Sequence, residues 1–181
     1  MAFDPKALLS KIRVPAGFVC AALYLYFSTP SSRSLWIGGS LAFVGILIRA
    51  WATGHIQKND ELTVSGPYAL TRNPLYLGSF VIGLGFSFAG GSFIIPTLFL
   101  LCFAAIYGPV IQREMEYLKH KFPREYGSYQ ATVPLFFPQM TRGRPGQGHF
   151  SFRRYLKHRE YQALAGFVAA ITFLILKLHL S

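Results

Sequence analysis

The chain has 181 residues, 52% of them hydrophobic, 16% aromatic and only 14% charged, with a formal net charge of +11. About 25% of residues are charged in an ordinary soluble domain, so the composition excludes a soluble globular protein. Two cysteines, Cys20 and Cys102, are too few for a disulfide framework.

Uncharged stretches run over Val14–Ser32, Ser34–Ile48, Asn73–Gln112 and Tyr161–Leu176. The third is long enough for two spans and divides at Gly90-Gly91-Ser92. The pattern predicts five helices near 14–30, 35–53, 74–89, 92–112 and 161–179, with Trp36, Trp51, Tyr107 and Tyr161 as interfacial anchors. The first run ends in Ser28-Thr29-Pro30-Ser31 with no small-x-small cleavage site, so it reads as an uncleaved span rather than a signal peptide. The fold class is therefore all-α: a polytopic helix bundle, multi-pass in the membrane, forming a single integral membrane domain over 1–181.

Sixteen of the eighteen cations fall in the N-terminus, the second loop with its helix ends and the segment 113–160; Arg33 and Lys177 lie on the other side. By the positive-inside rule the N-terminus, the second loop and the fourth loop are cytoplasmic. The positive charge thus reflects topology and anionic lipid, and no nucleic-acid partner is implied.

Past the fourth helix, Arg113-Glu114-Met115-Glu116-Tyr117-Leu118-Lys119-His120-Lys121-Phe122 keeps helical period and puts Glu114, Leu118 and Phe122 on one face. Pro123 opens a shorter piece through Tyr129, followed by Val133-Pro134-Leu135-Phe136-Phe137-Pro138, whose aromatics and prolines suit the headgroup level.

Two blocks of this chain carry a family resemblance. Gly66-Pro67-Tyr68-Ala69-Leu70-Thr71-Arg72-Asn73-Pro74-Leu75-Tyr76-Leu77-Gly78 is followed, two helices later, by Glu114-x-x-x-Leu118-x-x-x-Phe122-x-x-x-Tyr126-x-x-Tyr129-x-x-x-Val133-Pro134. Over residues 59–138 the sequence resembles the isoprenylcysteine carboxyl methyltransferase and phospholipid methyltransferase superfamily. The resemblance implies an active site at the cytoplasmic face that transfers a methyl group from S-adenosylmethionine to a lipophilic acceptor, a prenylcysteine-type carboxylate or a phospholipid amine, with S-adenosylhomocysteine as product. It assigns Leu70, Arg72, Asn73, Tyr76, Gly83, Gly85 and Glu114 to the cofactor. Asn73 stands where the carboxyl methyltransferases usually have His, and Met115 where the family has a second Glu. The basic loop and additional span of 139–181 lie outside the pattern.

The chemistry of the cofactor fits these residues. It presents an ammonium, a carboxylate and an adenine, and so calls for a carboxylate, a guanidinium and an apolar slot. Antiparallel third and fourth helices bring Arg72 and Glu114 together at one mouth of the bundle, and these two are the candidate catalytic pair. Glu114 receives the ammonium, while Arg72 holds the carboxylate of the cofactor or of the substrate. Methyl transfer needs alignment of donor and acceptor and exclusion of water, with no nucleophilic side chain.

Competing readings stand beside each assignment. Gly83, with Ser79 and Ser87, has the four-residue spacing of close helix packing; Glu114 could pair with Arg113 or Lys121 at the surface; Tyr68 and Tyr76 could be interface anchors. His55, His120, His149, His158 and His179 lack ligand spacing, and no metal is expected. Two further functions remain open, a membrane NADPH-dependent sterol-type reductase and a non-catalytic membrane scaffold. Phe150–Arg159 reads as an interfacial segment, either a lid or headgroup reader or a plain anchor for the last span.

Overall fold

The computed structural model describes residues 24, 26–56, 61–92, 94–139 and 148–180. Most of the first predicted span, all three N-terminal cations and the centre of the basic loop lie outside the described residues.

Among the described residues the chain is helical throughout: α1 (Ser32–His55), a 3-10 turn (Gly66–Ala69), α2 (Pro74–Ala89), α3 (Ile94–Lys121), α4 (Pro123–Thr132), α5 (Phe152–Lys157) and α6 (Tyr161–Leu180). α1, α3 and α6 are long and apolar enough to cross a membrane, and α2 is a shorter apolar helix. Trp36, Ile37, Leu47, Leu98, Leu101 and Leu176 are each more than half exposed, as side chains facing lipid should be. The protein is a membrane helix bundle.

Why the helices start and stop where they do is local. Ser31 caps α1 through a reciprocal bond with Ser34. Pro74 occupies the first turn of α2, where its missing N–H costs nothing. The turn from α2 to α3 passes through Gly91 at φ 76°, a left-handed conformation that favours glycine. α3 joins the predicted span of 92–112 and the helical stretch that follows it into one helix ending at Lys121. At 1.5 Å per residue its 28 residues span about 42 Å, more than the hydrocarbon core, so its last turns stand clear of the bilayer.

α1 and α2 are antiparallel and form the closest pair in the bundle. A methyl group at Gly38 would collide with the Ala89 amide and the Gly85 carbonyl; one at Gly85 would collide with Ala42 and Gly38; one at Gly45 would meet Ile82 and Gly78. Small residues therefore let the two backbones touch along their length, the usual way to gain packing where no hydrophobic drive exists between lipid-immersed helices. α3 leans on the other side of α2 through aromatic rings, with Phe80 5.0 Å from Phe103 and Tyr76 5.8 Å from Tyr107. α6 packs against α1, where Phe167 lies 6.0 Å from Phe43.

Polar ties fix the two ends of the bundle. At one end Lys177 of α6 donates to the Tyr26 carbonyl at 2.8 Å. At the other, Arg49 of α1 grips Glu160, just before α6, through Nε at 2.5 Å and Nη2 at 3.0 Å, and reaches Ser79 of α2 through Nη1 at 2.5 Å. The end of α1, the start of α2, the end of α3, α4, α5 and the start of α6 all share this second end.

Gly85→Leu should force α1 and α2 apart. Overpacking costs about 1–3 kcal/mol in close-packed interiors, so the thermal midpoint in detergent should fall by several degrees; an unchanged midpoint would contradict this close backbone approach.

Candidate active site

The two motif blocks are stitched together by hydrogen bonds. Tyr129 of α4 donates its hydroxyl to the Tyr68 carbonyl at 2.8 Å. The Arg72 amide donates to the Pro134 carbonyl at 2.9 Å, and the Gln139 amide to the Leu70 carbonyl at 3.1 Å. Thr71 donates its hydroxyl to the Phe136 carbonyl at 2.8 Å, and the Asn73 carboxamide donates to the Leu135 carbonyl at 3.0 Å. The proline-rich 133–138 stretch cannot satisfy its own backbone carbonyls by a helical ladder, and the 70–73 loop supplies the donors. Beneath this seam Tyr126, Tyr129 and Val133 form a buried cluster with Leu62, Val64, Met115, Leu118 and Phe122.

A cavity of about 550 Å³ opens beside the seam. Its walls are Arg49 and Ile56 at the end of α1, Glu61–Thr63, Tyr68, Arg72–Tyr76, the projecting end of α3 with Glu114, Tyr117, Leu118 and Lys121, and then Phe122 and Tyr129. The volume lies within the range of small-molecule sites. Glu114, Leu118 and Phe122, placed on one helical face by their spacing, all line it; Glu116 does not.

Of the residues assigned to a cofactor from sequence, Arg72, Asn73, Tyr76 and Glu114 come together on the cavity wall. Leu70, Gly83 and Gly85 stand apart from it. Leu70 serves the seam through its carbonyl. Gly83 faces the ring of Phe99 on α3, and Gly85 faces the backbone of α1. Both glycines thus sit at helix contacts, the packing alternative raised by the stripe. Asn73 is divided: it lines the cavity while its amide nitrogen is committed to the Leu135 carbonyl.

The electrostatics of the cavity are unbalanced at particular atoms. Arg72 reaches Tyr126 through Nη1 at 3.3 Å, yet its Nε is buried without a hydrogen-bond partner. The Tyr68 hydroxyl is likewise buried and unpartnered. Each such group costs about 1–3 kcal/mol when left unmet, and both belong to residues that line the cavity. Glu114 is exposed, and among the described residues it makes no ion pair with Arg113 or Lys121.

Sequence reasoning missed Glu160 and the pairing of Arg49. Glu160 is a lone carboxylate in a strongly basic segment next to a span, which was the available signal; its 7% exposure now marks it as buried. The Phe150–Arg159 segment packs on the end of α1. Ser151 donates its amide to the Gly54 carbonyl at 2.9 Å, and Arg154 reaches the His55 carbonyl at 3.2 Å, capping the end of α1. Among the described residues no group of three or more His, Cys, Asp or Glu comes together that could hold a metal ion.

Burial pushes the Tyr68 phenol up from the ordinary value of 10.0, with the Glu114 charge adding to the effect. Tyr129 is pushed up by burial too, against the opposing pull of Arg72. A folded-state pKa above the unfolded one gives stability that is complete below the unfolded pKa and lost as pH rises through the folded pKa. Stability should therefore decline above pH about 10. In an absorbance titration these two phenols should ionise after the exposed tyrosines, and Tyr68→Phe and Tyr129→Phe should each shrink the late wave; a single wave near the ordinary value would contradict the burial.

The chain is 37% identical over 107 residues to the cobalt-zinc-cadmium resistance protein CzcN of Cupriavidus metallidurans, covering 58% of this chain and 48% of that protein. It is 34% identical over 115 residues to the nickel-cobalt-cadmium resistance protein NccN of Alcaligenes xylosoxydans xylosoxydans, covering 59% and 54%. It is 30% identical over 122 residues to the protein-S-isoprenylcysteine O-methyltransferase of Schizosaccharomyces pombe, covering 67% and 47%. The chain thus spans about half the length of the curated relatives it matches. No solved structure matches it. The profile of the phospholipid methyltransferase family matches residues 17–125, more than half of the chain, and the protein belongs to that family.

Proposed function

We propose that this protein is an integral membrane methyltransferase that uses S-adenosylmethionine and methylates a lipophilic acceptor. The observation that carries the reading is the cavity wall itself, which is lined by Arg72 and Tyr68, each with a buried polar atom lacking a partner, and by Glu114, which makes no ion pair among the described residues. These groups fit the cofactor: Glu114 takes its ammonium, and Arg72 takes its carboxylate as a charge-assisted bond to a buried N–H. The Tyr68 hydroxyl supplies a neutral polar contact, because burial keeps the phenol protonated. Tyr76, Leu118 and Phe122 provide apolar wall. Bound there, S-adenosylmethionine supplies an electrophilic methyl carbon and leaves as S-adenosylhomocysteine.

What the chain contributes is orientation and exclusion of water. The stitched seam fixes Arg72 and Tyr68 relative to each other, and α3 fixes Glu114 opposite them. A methyl acceptor held in line then reacts without help from a protein nucleophile. α2 measures about 24 Å from its 16 residues, short of the hydrocarbon thickness, which suits a site entered by a lipid acceptor at its Pro74 end. The family and the relative from Schizosaccharomyces pombe support a lipophilic carboxylate or amine. Two relatives are named for metal resistance and add nothing on the acceptor. The cationic loops support a cytoplasmic site.

Glu114→Gln should fold and should lose affinity for S-adenosylhomocysteine roughly tenfold or more, read by calorimetry on purified protein. Unchanged affinity would make Glu114 a surface residue, and binding of reduced nicotinamide instead would favour the reductase reading. In vesicles with methyl-labelled cofactor, offered prenylcysteine analogues and aminophospholipids side by side, the label should enter a lipid; methylation of water-soluble acceptors with no lipid product would overturn the acceptor class.

A further inference from the structure

Among the described residues two guanidiniums line the cavity, Arg49 and Arg72, and their states differ. Arg72 keeps a buried N–H without a partner. Every nitrogen of Arg49 is engaged: Nε and Nη2 on the two oxygens of Glu160, and Nη1 on Ser79, whose hydroxyl is itself anchored to the Leu75 carbonyl at 3.0 Å. Glu160 lies beyond residue 125, where the family match ends, in the turn between α5 and α6.

That turn is shaped to deliver the carboxylate. Arg159, one residue earlier, has φ 53°, the left-handed region that a bulky side chain adopts only at a cost. Tight turn bonds hold it there, from the Arg159 amide to Leu156 and from the Glu160 amide to Tyr155. A buried ion pair gains little net stability, because desolvation offsets the attraction. Its lasting effect is on where the guanidinium points and on the charge it shows to the cavity.

We propose that Glu160 is a positioning residue of the methyl-transfer site: it clamps Arg49 against Ser79, so that this wall of the cavity is held still and charge-neutral and Arg72 is left as the guanidinium that meets the ligand. The proposal rests on the methyltransferase reading above. Such a cofactor carries a net positive charge while its sulfonium is intact and none once the methyl group is gone. An unclamped Arg49 would repel the charged form and spare the neutral one. Tyr68, on the same wall, already lies within electrostatic reach of Arg49, Glu160 and Glu114.

The test compares two unreactive ligands on the full chain in detergent: S-adenosylhomocysteine, and sinefungin, whose amine sets a positive charge at the sulfonium position. Glu160→Gln should lower the preference for sinefungin roughly fivefold or more, by adding one unpaired cation to the wall. Arg49→Gln should shift the preference the opposite way, and the double variant Arg49→Gln/Glu160→Gln should return it to within about twofold of wild type, since the charges then balance. Should Glu160→Gln not fold, the other two variants carry the same test. Equal weakening of both ligands in every variant, or no shift in preference, would overturn the clamp and leave a structural ion pair. A wild-type protein that binds neither ligand would instead overturn the methyltransferase reading on which the clamp rests.

Discussion

The structure depends on one constraint: a proline-rich segment that can form no hydrogen-bonded ladder of its own takes its donors from another part of the protein. The 133–138 stretch, with prolines at 134 and 138, has no ladder of its own, and the loop over 70–73 answers it donor for acceptor. That exchange holds two segments some sixty residues apart in register. Thr71 and Asn73 are turned towards carbonyls of that stretch, Arg72 between them reaches the Tyr126 hydroxyl, and the Tyr129 bond to Tyr68 holds the preceding turn. Arg72 Nε and the Tyr68 hydroxyl are left buried without a hydrogen-bond partner.

Below the seam the bundle supplies rigidity by close approach rather than by large side chains. Gly38, Ala42 and Gly45 bring α1 against Gly78, Gly85 and Ala89 of α2, and the same pair of helices carries Arg49 and Ser79 at its upper end. A shift along that interface would move the cavity floor directly. α3 is attached to α2 through rings, and its far end packs on the α4 cluster with Glu114 and Arg72 both on the cavity wall.

Much of this was legible in the sequence. Hydropathy located α1, α2 and α6 closely, because apolar runs between charged loops admit few other readings, and the glycine pair at 90–91 marked the turn. Four-residue spacing put Glu114, Leu118 and Phe122 on the face that lines the cavity. The end of α3 was legible too, since the helical period of 113–122 and Pro123 after it put the stop within a residue or so of Lys121. What was not legible was the division of labour inside the first block, where the Leu70 carbonyl accepts from the Gln139 amide and the Asn73 carboxamide donates to the Leu135 carbonyl. The Arg49–Glu160 pair was hidden for a different reason: its members are 111 residues apart, and a carboxylate among cations looks solvated until its burial is seen.

The central claim is that the cavity wall is built for a ligand, at the expense of polar groups left unmet without it. Tyr68→Phe tests it most directly, because it deletes one such group while keeping the ring. The account predicts that the unliganded variant is as stable as wild type or more so, while its affinity for S-adenosylhomocysteine falls severalfold. A variant that is destabilised without ligand and binds as tightly as wild type would contradict the account, for the hydroxyl would then serve the fold and not the site.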